Sequence, residues 1–461
     1  MPWPENGTFP HPQAGHAESV STLGSTDVSW TAKPMIHVSP VTVTTCMVVV
    51  LLGVFLVTQS AVVIAFVVSL GRAKRPASGE NTLPRATVLL SVRGHDPSLA
   101  ETLRNLMDQD YPDFNIHAVV DHPTDPALPI VESVLEAAEP GRVTVSFLRE
   151  PKATCTLKCS SLIQAMGELE GTCEVVAFVD ADARPHRRWL RDLVTPLSDP
   201  SIGATTGNRW YLPERPDWGS LVRYFWNAGS VLQMWLNGFV WAGSMALPVA
   251  VIRETGLAEA WSRALSVDNT VRQQLRKHGY RIAFVPTAIL VNRERIKLPE
   301  YVTWVHRQMV GAKALKPGWG LIALHALTLL TVQLVCMILV VVAALSDDAA
   351  VAGVSLGGLA AFWSLSLAAA FLTDRAIRRA ISSYEDTRRW CPWSTMLKMV
   401  PAVILTYATY SYVFMKSVFA RRVTWRGVRY DIRSMGDIRL SAYRPYAGSD
   451  TGEVEESNSV I

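Results

Sequence analysis

Two aspartates, Asp180 and Asp182, directly follow an apolar run in the stretch VVAFVDADARP, residues 175–185. Carboxylates in this position can do three things. They can cap the next helix by accepting from its first backbone N–H groups. The first can attack a phosphate ester as a nucleophile. Together they can hold Mg²⁺ or Mn²⁺ against the phosphates of a nucleotide, because these ions prefer oxygen ligands.

The residues around the pair argue against the nucleophile. Phosphatases of the haloacid-dehalogenase type carry Thr or Val two residues after the second aspartate, where this chain has Arg184. Their motif also opens the fold, whereas several strands are predicted before it here. The cap and the metal clamp both remain open from the sequence.

The segments that must position the pair alternate between strand and helix. Short apolar runs predict strands, and amphipathic or apolar runs between them predict helices. The strands are expected at 86–92, 114–122, 143–150 and 173–182, and the helices at 99–107, 129–141 and 158–169. This alternation is typical of an α/β fold with a mostly parallel sheet and flanking helices. Ligands of such sheets bind beyond the carboxyl ends of the strands, where Asp121 also stands.

Composition favours a membrane protein. Of the 461 residues 49% are hydrophobic and 18% are charged, which departs from an ordinary soluble protein. A net charge of +4 is too small to suggest a nucleic-acid partner, and none is expected. The six cysteines include no CxxC pair, so we expect free thiols rather than a zinc site.

Uncharged runs at 41–70, 320–346 and 349–373 are each long enough for a transmembrane helix. Basic residues follow at 71–75 and in the loop 374–395. Because basic flanks stay in the cytoplasm, we expect an integral membrane protein with its N-terminus outside. The domain at 76–318 is then cytoplasmic. The segment 1–40, rich in Pro, Gly, Ser and Thr, is predicted to be disordered.

The segment 396–419 is ambiguous, because its apolar run is short and basic residues follow it. A full span would place those arginines outside, against the positive-inside rule. A re-entrant or interfacial segment, which keeps them inside, is therefore favoured. The remainder, 420–461, is expected to be a basic and then disordered tail.

The order of motifs from 86 to 430 resembles a family 2 glycosyltransferase of GT-A fold, in the membrane-bound branch of ceramide glucosyltransferase. The resemblance lies in LLSVRGHDPSLAETLRNLMDQDYPDFNIHAVVDHPTDPA, KATCTLKCSSL, WAGSMALPVAVIRETG, LSVDNTVRQQLRKHGYRIAFVP and VTWRGVRY. It implies a GT-A type sheet and a nucleotide-sugar donor, with Mg²⁺ or Mn²⁺ as cofactor.

The resemblance also assigns donor-binding roles. Asp121 matches the aspartate that contacts the uracil and ribose, with a strand-end cap as its alternative. Lys158 would neutralise the diphosphate, unless it is only a solvated helix lysine. Asp180 and Asp182 match the pair beside the diphosphate and the metal, and Asp182 is the more direct ligand.

On the acceptor side, Asp268 matches the general base that takes a proton from the attacking hydroxyl. Its alternative role is the N-cap of the next helix. Gly243 and Ser244 match a loop that faces the acceptor. The family often has an acidic residue just before the base, where this chain has Val267.

The family's Q/RxxRW motif is incomplete. Glu300 and Thr303 occupy its Gln/Arg and Arg positions, while Trp304 is kept on the acceptor side. Arg307, or Lys313, would then supply the missing cationic contact to the donor.

These expectations describe a membrane-bound, inverting, metal-dependent hexosyltransferase. It would move a sugar from a UDP-sugar to the hydroxyl of a lipid, ceramide-like among the candidates, at the cytoplasmic face. One alternative is a processive polysaccharide synthase of the hyaluronan or cellulose synthase type, although the altered motif argues against it. A non-catalytic, glycosyltransferase-like membrane protein is the other.

Overall fold

The computed structural model describes residues 40–72, 83–169, 171–313, 319–386, 393–434 and 437–446. The helices are α1 Pro40–Arg72, α2 Leu99–Met107, α3 Leu128–Leu135, α4 Leu157–Glu168, α5 Trp189–Val194, α6 Trp218–Asn237, α7 Val249–Glu254, α8 Leu257–Trp261, α9 Val267–Lys277, α10 Leu298–Lys313, α11 Trp319–Leu345, α12 Ala349–Ile381 and α13 Trp393–Val418. The strands are β1 Ala86–Val92, β2 Phe114–Val120, β3 Val143–Phe147, β4 Val175–Val179, β5 Ile202–Thr206, β6 Arg209–Tyr211, β7 Ser244–Pro248, β8 Arg281–Phe284, β9 Leu290–Asn292, β10 Arg422–Trp425, β11 Val428–Ser434 and β12 Asp437–Ala442.

A seven-stranded sheet in the order β3-β2-β1-β4-β7-β5-β8 forms the centre of the fold. Its strands run parallel except β7, which is antiparallel to both β4 and β5. β4 is buried along its whole length, as expected for a strand covered on both faces. Apolar clusters lie on each side of the sheet. The predicted α/β fold with a mostly parallel sheet and flanking helices is therefore confirmed.

Three helices are long and apolar enough to cross a membrane: α1, α11 and α12. Their mean hydropathy is 2.6, 2.6 and 1.7, and together they pack as one group. α12 continues to Ile381, beyond the predicted end of the apolar run at 373. The loop predicted at 374–395 therefore begins as helix, and its residues 387–392 lie outside the described part of the chain.

Helix α13 covers most of the ambiguous segment and packs against α6 and α10. Near its start, the Lys398 ammonium lies 5.9 Å from the ring centre of Trp218, the first residue of α6. At its end, Lys313 of α10 donates to the carbonyls of Val418 and Ala420, at 2.6 and 3.2 Å. Both ends of α13 therefore lie beside the central domain, and Lys313 caps a helix there.

The chain after α13 forms an antiparallel sheet, β10–β11–β12, that packs on the central domain. The Leu157 N–H donates to the Tyr430 hydroxyl at 3.1 Å, and the Leu440 N–H donates to the Ala153 carbonyl at 2.8 Å. The tail prediction contained no strands here, although alternation in VRYDIR turns Val428 and Tyr430 inward. The rest of the predicted disordered tail, 447–461, and the segment 1–39 lie outside the described residues.

Candidate active site

Asp180 and Asp182 lie just beyond β4, and both are paired with cations. Lys158 donates to one oxygen of Asp180, and Arg209 reaches the other oxygen at 3.2 Å. Arg209 also holds Asp182 in a two-pronged pair, at 2.5 and 2.7 Å. Burial raises the pKa of Asp180, but the two cations outweigh it and hold that pKa below its usual value.

The cap alternative for this pair is wrong. The next helix, α5, begins only at Trp189, and its N-cap residue is Arg188, with no side-chain cap. The two carboxylates therefore form ion pairs with cations at the carboxyl end of β4. In this position they can exchange those cations for another positive group.

Arg209 is the central cation of the site, and the sequence motifs did not indicate it. Its guanidinium lies 4.8 Å from the ring centre of Trp241 and between the two carboxylates. Burial lowers its pKa, but Asp182 and Asp180 raise it well above the usual value. A weak signal does exist in the sequence. A lone arginine inside a short strand with Trp210 and Tyr211 needs a buried partner.

Lys158 lies in the first turn of α4, where Thr156 caps the helix by accepting from the Cys159 N–H. This places its ammonium on Asp180, with only 18% of the side chain exposed. Burial lowers the pKa of Lys158, but Asp180 and Asp268 reverse the effect and raise it. Lys158 is therefore a half-buried lysine paired with Asp180, rather than a solvated helix lysine.

Asp268 lies in the first turn of α9, but it is not the N-cap. That position belongs to Ser266, which accepts from the Asn269 N–H. Asp268 instead accepts from the Ala242 N–H at 2.7 Å and faces the central cavity. Burial raises its pKa to about 6, against the opposing charge of Lys158. A carboxylate with such a pKa is suited to accept a proton near neutral pH.

Gly243 and Ser244 lie behind the cavity wall. A Cβ atom on Gly243 would meet the Trp241 ring at 2.1 Å and an Asp180 oxygen at 2.5 Å. Ser244 is fully buried; its hydroxyl accepts from the Trp189 indole and donates to the Ala288 carbonyl, both at 2.8 Å. These residues support Trp241 and Asp180, and neither is among the cavity-lining residues of the described chain.

Asp121 stands at the carboxyl end of β2, where its N–H donates to the Val92 carbonyl at 2.9 Å. Its carboxylate is paired with Arg93, which the motifs did not single out. Burial raises the pKa of Asp121 in spite of Arg93. Asp121 and Arg93 both line the cavity, so the pair can meet a ligand.

Trp304 and Arg307 lie on α10. Trp304 is buried between Tyr211 and Trp226, with ring centres 5.7 and 5.0 Å away. Arg307 lines the cavity, with its guanidinium 5.5 Å from the Trp425 ring centre. Burial lowers its pKa to about 10. Arg307 forms no ion pair with any carboxylate of the described residues, so it is a half-buried cation that can receive an anion.

One cavity of about 1210 Å³ connects these side chains. Its polar end is lined by Asp121, Asp180, Asp268 and Arg307. Its other end lies among the apolar helices and is lined by residues of α1, α11, α12 and α13, including Phe55, Leu329, Leu365 and Tyr410. The site is therefore continuous with the space between the helices that could cross a membrane.

The site does not enclose a metal by protein ligands alone. In the described part of the chain, no group of three or more His, Cys, Asp and Glu side chains could hold an ion. Asp180 and Asp182 do fit an ion of the Mg²⁺ or Mn²⁺ kind, which binds through one or two carboxylates together with substrate phosphates. Both carboxylates already carry positive partners, which shows that the pocket tolerates positive charge there.

Comparison with solved structures found relatives with low sequence identity. The mannosyltransferase PcManGT from Pyrobaculum calidifontis, in complex with GDP-Man and Mn²⁺, is 20% identical over 79% of this chain and 99% of its own, with a TM-score of 0.43. Glucosyl-3-phosphoglycerate synthase from Mycobacterium tuberculosis, with Mn²⁺, UDP and glucosyl-3-phosphoglycerate, is 16% identical over 49% of this chain and 79% of its own, with a TM-score of 0.32. A search of the curated proteins found no match.

The family comparison covers most of the chain. The model of glycosyl transferase family 21 matches residues 45–438, which include the central domain, most of the apolar helices and most of the C-terminal sheet. The resemblance predicted a glycosyltransferase and named family 2; the activity class is confirmed, and the matching family is family 21. The protein is a glycosyltransferase, and the chain belongs to glycosyl transferase family 21.

Proposed function

We propose that the protein is a membrane-bound, inverting glycosyltransferase that moves a sugar from a UDP-sugar to the hydroxyl of a lipid at the cytoplasmic face. The continuous cavity carries this proposal, because it joins the aspartate–cation site to the apolar helices. A water-soluble donor and a membrane-held acceptor can meet only in a space of this kind.

The donor binds at the polar end. Lys158, Arg209 and Arg307 are three buried or half-buried cations around one end of the cavity, as a diphosphate requires. Asp121 would contact the nucleoside, the role that the family resemblance gives it. A divalent ion held by Asp180 and Asp182 would neutralise the diphosphate and stabilise it as a leaving group.

Asp268 is the proposed catalytic base. The acceptor oxygen attacks the anomeric carbon on the side opposite the diphosphate, and the proton of the hydroxyl passes to the Asp268 carboxylate. A carbon–oxygen bond forms to the acceptor, and the bond between the anomeric carbon and the diphosphate breaks. Lys158 and Arg307 stabilise the departing charge. A single displacement inverts the anomeric centre, so an α-linked donor gives a β-glycoside.

The acceptor end favours a lipid. The lining there is supplied by helices that are apolar on all sides, such as α1 and α11. Polar groups among them, such as Gln59 and Ser366, can hold a headgroup without excluding acyl chains. A lipid can then place its hydroxyl at Asp268 while its tails stay between the helices.

Charge and contact support the proposed membrane orientation. Arg375, Arg378 and Arg379 follow the apolar part of α12. Asp374 accepts from the Trp210 indole at 3.1 Å, so this end of α12 touches the central domain. By the positive-inside rule, these observations support a cytoplasmic location for the domain and for both ends of α13.

The test is a screen of UDP-sugars against extracted membrane lipids with the purified protein, with Mg²⁺ or Mn²⁺, read by mass spectrometry. A glycolipid with one added sugar supports the proposal, whereas a long saccharide would indicate a processive synthase. Asp268→Asn should lower turnover by about 10²–10⁴. Asp199→Asn, an exposed aspartate, is the matched control.

Two results would contradict the proposal. If Asp268→Asn kept full turnover, the assignment of the base would be wrong. If calorimetry detected no binding of UDP with or without Mn²⁺, the non-catalytic alternative would be favoured.

A further inference from the structure

The pair of Arg93 and Asp121 is held by a segment from the far end of the chain, residues 443–446, here called the C-terminal strap. Arg93 donates to the Arg444 carbonyl at 3.1 Å. The Tyr443 hydroxyl and the Tyr446 N–H each lie 3.4 Å from an oxygen of Asp121. The Arg93 guanidinium also lies 5.5 Å from the Tyr443 ring centre and 5.3 Å from that of Tyr446.

The strap packs closely on the central domain at Gly94. Gly94 has a φ of +73°, and a Cβ atom there would meet the Tyr446 ring at 2.9 Å. Glycine at this position adopts the positive φ without strain and leaves room for the Tyr446 ring to lie directly on the backbone just after β1. Gly94 is fixed in turn by Asp125, whose two oxygens accept from its N–H at 3.0 and 2.9 Å.

A second anchor precedes the strap. Arg426, between β10 and β11, donates to the Arg93 carbonyl and pairs with Asp96 at 3.1 Å. Asp96 is almost fully buried, so this pair is a fixed structural contact. The end of β1 is thus held from both its backbone and its side chain by residues beyond α13.

Arg93 and Asp121 line the cavity, whereas Tyr443 and Tyr446 are not among the cavity-lining residues of the described chain. The strap therefore acts on a ligand only through the pair. We propose that the strap is a positioning element: by holding Arg93 against Asp121, it fixes the Asp121 carboxylate where the nucleoside end of the donor binds. This rests on the proposed function, because it assumes a nucleotide-sugar donor at Asp121.

The physical reason is the burial of the pair. A buried carboxylate is costly without its partner. If the arginine side chain were free to move, the carboxylate would be unpaired for part of the time. The two aromatic rings and the Arg444 carbonyl restrict the guanidinium to one place. Preorganisation of this kind improves affinity because less order has to be gained on binding.

The experiment uses the full-length chain with Tyr443→Ala and Tyr446→Ala combined, and UDP as the probe in calorimetry. Loss of two cation–π contacts should raise the Kd for UDP by about tenfold. With donor and lipid present, the donor KM should rise, while kcat at saturating donor and the KM for the lipid stay unchanged. The combined Tyr443→Phe and Tyr446→Phe variant keeps both rings and should retain most of the affinity.

Arg439→Ala is the matched control, because Arg439 is exposed on β12, close to the strap. The melting temperature of each variant shows whether a change in Kd reflects unfolding. Unchanged UDP affinity in the folded alanine variant would overturn the positioning role. Tighter UDP binding would also overturn it, and would show that the strap competes with the nucleotide. If the unmodified protein itself failed to bind UDP, the proposed function would fail instead.

Discussion

The charges of the aspartate pair are balanced before any ligand arrives. Asp180 and Asp182 are neutralised by Lys158 and Arg209, and both pairs are largely buried. A nucleotide diphosphate brings negative charge and a divalent ion brings positive charge. If the protein binds both, as proposed, the lysine and arginine would turn to the phosphates while the ion takes the carboxylates. Binding therefore exchanges partners without leaving a buried charge unpaired.

The rate should depend on pH through Asp268. Only the ionised carboxylate can accept a proton, and burial raises its pKa to about 6. We expect kcat/KM for the acceptor to fall as the pH drops through about 6, and to level off above it. Initial rates at saturating donor, from about pH 4.5 to 8, measure this profile. A rate that stays constant down to about pH 5 would mean that another group is the base.

The same shift predicts how the inactive variant behaves. A carboxyl group with a higher pKa in the folded state than in the unfolded state contributes most stability when protonated. That contribution is lost as the pH rises through about 6. Asp268→Asn should therefore melt at pH 7 no lower than the unmodified protein, and thermal unfolding shows whether lost activity is lost chemistry.

Removing Arg209 should make stability depend on metal. Arg209→Met leaves Asp182 without its buried partner, which costs about 3–5 kcal/mol of unfolding free energy. A divalent ion can replace part of that positive charge, so Mn²⁺ should raise the melting temperature of the variant more than that of the unmodified protein. Arg281→Met is the control, because it removes an exposed ion pair in which the Arg281 side chain is 65% exposed and Asp199 is 46% exposed. If Mn²⁺ raised the melting temperature of Arg209→Met and of the unmodified protein by the same amount, an ion at the aspartate pair would be contradicted.

At the scale of elements, the site depends on close contact between the end of β4 and the turn before β7. Trp241 lies in that turn, with its N–H donating to the Thr206 hydroxyl at 3.0 Å. Gly243 leaves room for the Trp241 ring and for Asp180. The position of the Asp180 carboxylate therefore depends on where this turn and β7 lie.

A methyl group at Gly243 should disturb this contact. In Gly243→Ala, the new Cβ atom would lie 2.1 Å from the Trp241 ring, so the ring must move. Because this ring also packs on the Arg209 guanidinium, Arg209 would lose its support. We expect UDP affinity and turnover to fall at least about tenfold. Gly167→Ala, in open space near the end of α4, is the matched control and should be neutral or stabilising by about 0.5–1 kcal/mol. Calorimetry and turnover on both variants test the difference.

The elements up to β4 could be predicted because each has a clear local pattern. β1 has the predicted bounds, whereas β2 ends at Val120 rather than 122, since Asp121 already bonds across to Val92. Lys158 and Asp268 were found through motifs that sit on helix starts. Arg209 and Arg93 were missed because their partners are distant in sequence, and no local pattern encodes a pairing of that kind.

At the scale of the whole molecule, both ends of α13 lie at the central domain. A tag after residue 446 should therefore be reached from the same side of the membrane as the domain, and a tag before residue 40 from the opposite side. Protease protection in sealed vesicles of known orientation measures both positions. Exposure of the two tags on the same side would contradict the proposed arrangement of α1, α11 and α12.

The contact between Arg93 and Arg444 also has a consequence for how the protein is made. These residues are 351 positions apart, and the central domain between them leaves the ribosome first. Contacts of such separation form late, because a long loop must close before they contribute stability. The pocket near Asp121 can therefore be completed only after β12 has been synthesised and α13 has been placed. A nascent chain anchored by α1 carries most of the sheet at that stage, but not yet the completed contacts around Arg93 and Asp121.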